Sequence, residues 1–516
     1  MKYDFIIVGG GSAGAVLAAR LSEDPNVFVL LLEAGPDYTD FESLPNPIKY
    51  GNAIWPAAFG EDAHVWGYKA NAVSEREEIV IPRGKVMGGS SAINGQVFYR
   101  GVPEDYDEWE SFGNKGWSYT DVLPYFRKSE NDLKYGMDDF HGNDGPIPVK
   151  RYEEKDLLPA PKAFIEACIA EGFQYNPDSN HPDSTGVGPR ALNNVDGIRM
   201  STALTYLNMA RHRINLTIRS DVMVRRVLFE GDTAIGVEAE SAGDLFSIEG
   251  KELLICGGAV NSPQLLMLSG VGPKEQLEYF SIPVVKEING VGQNLRDHPS
   301  AMVLYESYLD EPEVDAPSLQ VGMRFQTPGS KVHNDMQMSP ILMTSEHRPA
   351  HVELRDGVSY LGFSVALQKA LTSGQISLRS SNPSDHPILE YAYLTDSEDL
   401  RRMREAVRLC VKITEREEFK EILKSRVQPT EDQLNSDELL DQWLLDNVST
   451  QHHSSGTCKM GPISDPMAVV DSVGRVHGLN NIRVVDASIM PDVVRANTNA
   501  TTIMIAEKIA DAIINT

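Results

Sequence analysis

The chain has 516 residues, 41% of them hydrophobic and 23% charged, a length that asks for two or three domains and a composition that excludes disordered and fibrous classes. Its 47 lysines and arginines face 74 aspartates and glutamates, a formal charge of −27 that repels phosphate backbones and argues against nucleic acid as a partner. Cys168, Cys256, Cys410 and Cys458 are scattered without metal-ligand or disulfide spacing, so no metal site is expected and a reducing, cytoplasmic setting fits.

In chain order, Phe5–Val8 is a continuous apolar run of the kind a parallel strand buried on both faces requires. The stretch from Phe5 to Ala19 is cut by Gly9, Gly10, Gly11 and Gly14, and no run approaches the ~20 apolar residues of a bilayer span. The strand leads into Gly9-Gly-Gly-Ser-Ala-Gly14, a GxGxxG turn, then a predicted helix from Ala13 to Leu21 and a second strand from Val27 to Leu32 ending at Glu33 and Ala34. In such a turn Gly9 permits the sharp reversal, Gly11 lets backbone amides approach a pyrophosphate, and Gly14 lets helix and strand pack closely. The helix start at Ser12 and Ala13 faces the phosphate charge. Glu33, 19 residues beyond Gly14, is placed to accept from a ribose hydroxyl. The motif predicts dinucleotide binding without choosing between NAD and FAD.

Further along, Leu216 to Glu230 reads as strand, turn, strand, Gly374 to Arg379 alternates like a strand, and Ser397 to Glu415 has helical charge and leucine spacing. Four glycine-punctuated segments stand out and are expected to be loops: Pro82 to Gly95, Gly257 to Pro273, Gly290 to Pro299, and His452 to Lys508, which contains a short strand at Ile482–Val485 and runs into a helix from Thr501 to Ile514. His333, His347, His351, His386 and, at their edge, His298 show no metal-ligand spacing and read as solvated histidines.

In order and spacing, from Asp4 to Ile513, these blocks resemble the glucose-methanol-choline (GMC) family of FAD-dependent oxidoreductases. The resemblance implies an α/β protein: a discontinuous Rossmann-like FAD-binding domain from residues 1–150, 190–299 and 448–516, and an α/β substrate-binding cap from 151–189 and 300–447. It implies flavin contacts at Met87, Gly89, Ser91, Asn94, Gly95 and Val97, an adenine contact at Val224, and a second flavin contact at Asp486 and Ala487, where the alternative for Asp486 is the N-cap of a following turn. Trp66 either borders the flavin or only packs. Some family members attach FAD through a histidine immediately before the loop Asn; the position here is Ile93, which has no nucleophilic nitrogen, so noncovalent FAD is expected.

The resemblance also places the chemistry. In Gln451-His-His-Ser-Ser-Gly-Thr457 the histidine before Ser-Ser-Gly-Thr matches the family's catalytic base, making it His453, with His452 beside it. Its ordinary pKa of ~6.5 leaves it mostly neutral near pH 7. Counting eleven residues back from Lys508 puts the second catalytic group at Asn497, followed by Thr498, with Asn499 outside the site. Asn497 donates to a developing alkoxide or serves as an N-cap. The implied reaction is alcohol oxidation: His453 takes the hydroxyl proton while hydride passes to flavin N5, and dioxygen or a quinone-like acceptor reoxidises the flavin. Non-redox family members, cyanohydrin lyases and fatty acid photodecarboxylases, are the alternative, and an NAD-linked dehydrogenase is a rival of another class.

Overall fold

The computed structural model describes residues 3–515 apart from 53–54, 61–63, 75, 311–312, 314–315, 344–353 and 356; His347 and His351 lie outside the described residues. Tyr3–Val8 pairs in parallel with Val29–Leu32 on one side and with the C-terminal half of Asp244–Ile255 on the other. Leu216–Arg219 and Ile482–Val484 extend the parallel sheet at its two sides, and Met223–Glu230 and Thr233–Ser241 add an antiparallel ribbon. The apolar runs read as buried strands are buried: Ile6, Ile7, Val29 and Leu31 have no solvent exposure, each contributing about 1.5–3 kcal/mol of burial.

The first helix, Ser12–Leu21, and the C-terminal helix, Thr498–Ile514, pack together on this sheet. Arg20 Nη2 meets Glu507 Oε1 at 2.7 Å, and the Tyr206 hydroxyl donates to the same oxygen at 2.7 Å. Glu507 is fully buried, so this acid, next to the Lys508 from which Asn497 is counted, ties the last helix to the first.

A second sheet runs in the order Leu423–Gln428, Pro299–Ser307, Tyr360–Leu367, Met336–Leu342, Val321–Phe325 and Gly186–Pro189, wholly antiparallel, with Ser449–Thr450 pairing Pro299–Ser307. The helix Ser397–Thr414 buries Met403, Ala406, Val407, Cys410 and Val411, the i, i+3, i+4, i+7 stripe of an amphipathic helix, and packs against the Tyr360–Leu367 strand. Asp396 caps it by accepting from the Glu398 amide at 2.8 Å.

One expectation is corrected. Gly257 to Pro273 is not a loop but contains a helix, Gly258–Leu268, whose Val260 and Leu265–Leu268 are buried. Its glycines sit at the ends, Gly258 with φ +77° and Gly270 with φ +85°, a left-handed conformation that glycine adopts without strain and that at Gly270 ends the helix. Among the described residues no helix is long and apolar enough to cross a membrane.

Candidate active site

A cavity of ≈ 700 Å³ is lined from both sheets, inside the size range of small-molecule and cofactor sites. One end is built by the glycine turn. Gly9, Gly11, Ser12 and Ala13 line it, while Gly14 stands behind the wall; a Cβ on Gly14 would lie 1.9 Å from the Gly9 carbonyl oxygen, so this glycine serves strand-to-helix packing. Gly11 differs: a Cβ there would meet nothing nearer than Gly89 Cα at 3.8 Å. The protein's own packing does not require glycine at position 11; what it keeps clear is the cavity.

Two helix N-termini open onto the same space. Gly11 and Asn497 are the N-cap residues, and neither caps through a side chain, which leaves first-turn amides and the positive ends of both helix dipoles for an anion. Ser12 Oγ donates to Asn499 Oδ1 at 2.7 Å and ties the two ends together. Glu33 is buried, its Oε2 accepting from the Gly10 amide at 2.8 Å and its Oε1 from Gly35 at 2.9 Å. Burial pushes its pKa up to about 7 against the pull of these amides. A spacious cradle cleared of side chains, two uncapped helix ends and an acid at the second strand end together fit a dinucleotide.

Ala34, Trp66, Gly89, Asn94, Gly95, Val97, Val224, Ala487 and Thr498 also line the cavity, as does Ile93. Met87 and Ser91 do not. Met87 packs behind Gly10, with its Sδ 2.5 Å from where a Gly10 Cβ would stand. The Ser91 hydroxyl donates to the Gly88 carbonyl at 2.6 Å and accepts from the Thr202 amide at 3.1 Å, so it holds the loop's shape from behind. Asp486 lines the cavity, but its carboxylate is engaged: Oδ2 accepts from the Gly258 amide at 2.8 Å and Ser262 Oγ at 2.6 Å, and Oδ1 from the Ser488 amide at 2.7 Å. It therefore caps two helix starts at once.

His453 lines the same cavity. The pairing of Pro299 with Thr450 and the Gln451 amide bond to the His298 carbonyl bring residues 297–298 and 450–453 side by side. His452 has φ +66°, a left-handed turn that a non-glycine residue adopts only under constraint. Asp297 Oδ1 accepts the backbone amides of both His298 and His453 at 2.7 Å, and its Oδ2 accepts from Tyr393 at 2.7 Å and from Thr450. The result is a histidine pair with Nδ1 to Nδ1 at 2.8 Å, and Asn497 Nδ2 3.0 Å from His453 Nε2.

If the Asn497 amide donates, the network gives the tautomer: Nε2 of His453 is the free base and its proton sits on Nδ1. Burial, then His298 and His452, hold the His453 pKa well below the ordinary imidazole value. Asn497 occupies the N-cap position, yet its side chain makes no cap bond and its Oδ1 is buried without a partner among the described residues.

Sequence reasoning missed three groups here. His298, read as a solvated histidine, is fully buried against His453. His333 and His386 are at least partly exposed and lie apart from the pair. Asp297 and Arg190 were not singled out, although Asp297 sits in the Gly290 to Pro299 block. No local pattern marks Arg190, because its surroundings come from strands distant in sequence.

Comparison with known proteins places these features in a family pattern. Residues 3–300 match the N-terminal part, and 370–506 the C-terminal part, of the family described as GMC oxidoreductase. The chain is 38% identical over 545 residues to an oxygen-dependent choline dehydrogenase of Chromohalobacter salexigens, covering 99% of this chain and 95% of that one. It is 36% identical to the protein of the same description from Photobacterium profundum, covering 99% and 93%. A solved structure, pyridoxine 4-oxidase from Mesorbium loti, superposes with a TM-score of 0.93 at 30% identity over all of both chains.

Proposed function

Because the chain belongs to the GMC oxidoreductase family, we propose that it is an FAD-dependent oxidoreductase that oxidises the CH–OH group of a small-molecule alcohol. The observation that carries this reading is the His453–Asn497 pair on the wall of the cavity that the glycine turn also lines. When bound, FAD supplies the acceptor for the hydride leaving the alcohol carbon. Residues 1–150, 190–299 and 448–516 would form the half that holds it, through the amides after Gly11, Glu33 and the Gly89 to Val97 loop; 151–189 and 300–447 would cap the substrate. Trp66 and Val224 line the same cavity and support the cofactor assignment.

The chain's own groups define the proton path. His453 Nε2, kept neutral by burial, accepts the hydroxyl proton of the substrate. To do so it exchanges the Asn497 amide for the alcohol, and the freed Nδ2–H donates to the same oxygen as charge develops there. Asn497 has no group able to take a proton, so the site has one base. His298 receives the Nδ1 proton in hydrogen bonding and fixes the ring's orientation.

Anaerobic mixing of the holoenzyme with a panel of alcohols tests the reading: bleaching of the flavin is expected, and the rate of recovery in air separates dioxygen from a quinone-like acceptor. A flavin that dithionite reduces and no alcohol does would overturn it. We infer noncovalent FAD, because the position immediately before Asn94, a histidine in family members that link the cofactor, is Ile93, which has no nucleophilic nitrogen. Acid precipitation should leave a colourless pellet under a yellow supernatant; a yellow pellet that survives washing would contradict this. All four cysteines are buried and free, which supports a reducing cytoplasmic location.

A further inference from the structure

Arg190 is 5% exposed and lines the cavity. Its Nε donates to the Val321 carbonyl at 2.9 Å, and its guanidinium carbon lies 5.6 Å from the centre of the Tyr99 ring, whose other neighbour is Arg324 at 4.7 Å. No carboxylate among the described residues pairs with it. The cavity's acids are Glu33, Glu78 and Asp486; Glu33 and Asp486 are bound to backbone amides, and Glu78 is exposed. Burial pulls the Arg190 pKa down, opposed only by Tyr99, and the guanidinium lies within electrostatic reach of His453. An unpaired buried cation is costly to a protein unless something else completes it.

The second sheet shows where the guanidinium lies. A Cβ on Gly322 would stand 3.0 Å from Arg190 Nε and 3.3 Å from Nη2, so the absence of a side chain on that strand makes the seat for the guanidinium. Continuing the Met323–Met338 register by one step sets Gly322 beside Ser339; Ser339 pairs with Ser364, and Ser364 with Met302. Ser339, Ser364 and Met302 all line the cavity, and neither serine hydroxyl has a hydrogen-bond partner among the described residues. This row is neutral apart from one cation, with Nη1 and Nη2 and two hydroxyls free to donate.

We propose that Arg190 anchors an anionic group of the substrate, so that the alcohol oxidised here carries a carboxylate. The inference rests on the alcohol-oxidising reading and names its substrate class. With Nε spent on Val321, the two terminal nitrogens form the planar fork that matches the two oxygens of a carboxylate, and Ser339 and Ser364 offer further donors. One guanidinium in this row suits a monoanion better than a phosphate dianion; the cavity's other cation, Arg83, donates through Nη2 to Ser454 Oγ at 2.9 Å. The same charge repels a quaternary ammonium head, which separates this chain from a choline-oxidising enzyme despite the overall likeness.

The test uses the holoenzyme. Anaerobic flavin reduction is measured with short hydroxy carboxylates, the corresponding amides, and choline, at constant ionic strength. The acids should be preferred over their amides by about 10²-fold in the second-order reduction rate, and choline should be poorer than either. In Arg190→Met the acid-to-amide ratio should fall to within about threefold, and Arg190→Lys should keep part of it. Independently of turnover, a non-oxidisable carboxylate such as butyrate should raise the thermal unfolding midpoint of the wild type and not of Arg190→Met. Equal rates for acids and amides, a preference for choline, or loss of FAD from Arg190→Met would each overturn the proposal, the last by giving Arg190 to the cofactor. If no alcohol of any charge bleaches the flavin, the alcohol reading fails; the butyrate shift then still decides Arg190, with no shift in the wild type refuting it.

Discussion

His453 sits among groups that all disfavour its protonation: burial first, then His298, His452, Arg83 and Arg190. A base depressed in this way is already free at neutral pH, so the rate of flavin reduction should be level from about pH 6.5 upward and fall only in acid; a rate that climbs through pH 6.5 would mean that the imidazole titrates normally. His453→Ala should lower that rate by about 10²- to 10⁴-fold with FAD retained, and Asn497→Ala by about 10²- to 10³-fold with the pH profile kept. His452→Ala is the control for register: were it the crippled variant and His453→Ala near normal, the base would be one residue away. Burial also pushes His298 and His452 down to about 4. Their folded values lie below the unfolded value of ~6.5, so the stability they contribute is present above pH 6.5 and lost as pH falls toward 4.

At the scale of elements, the first helix meets the cavity through glycines with different duties. Gly14→Ala drives a Cβ to 1.9 Å from the Gly9 carbonyl and should separate helix from strand, giving little folded protein. Gly11→Ala meets only Gly89 Cα at 3.8 Å and should fold with a near-native unfolding midpoint while retaining much less FAD, because the added methyl stands in cofactor space. Circular dichroism and the ratio of flavin to protein absorbance after gel filtration check the pair. A Gly11→Ala protein that keeps a full complement of flavin would move the cofactor away from this turn.

At the scale of the whole molecule, a buried ion network joins chain segments between residues 100 and 178. His141 Nδ1 lies 2.9 Å from Glu130 Oε1 and 3.2 Å from Asp132 Oδ2, and Nε2 lies 2.9 Å from Asp178 Oδ2. Arg100 pairs with Glu130, and Arg151 with Asp132 and Asp178, so three carboxylates meet two guanidiniums and the network is neutral only with imidazolium. Burial alone would lower the His141 pKa, but Asp132, Asp178 and Glu130 outweigh it and push it up to about 11. A folded value above the unfolded one means stability that is full below pH ~6.5 and lost progressively as pH rises toward the folded value. His141→Gln should cost about 3–5 kcal/mol, seen as a lower thermal midpoint, and should flatten the decline of that midpoint between about pH 7 and 10. A variant with wild-type stability at pH 7 would show that the network holds without the charge.

The elements that depend on neighbours in sequence were legible without a structure. The strand, glycine turn and helix from Phe5 to Leu21 follow from apolar runs and backbone freedom, and the short strand at Ile482 and the C-terminal helix follow from hydrophobic spacing. His453 and Asn497 were found through blocks of the same kind, and the cavity brings them to 3.0 Å. The helix at Gly258–Leu268 was misread because glycines and a proline dominate its local pattern, while burial of its leucines decides its conformation. What only the tertiary structure decided is who stands beside whom: His298 against His453 across 155 positions, and Arg190 against Val321 across 131. Those contacts come from the register of an antiparallel sheet, in which one step of slip turns every side chain to the other face. An arginine just past the end of a glycine-rich strand therefore carries no sign of the cavity it enters until the strands beside it are paired.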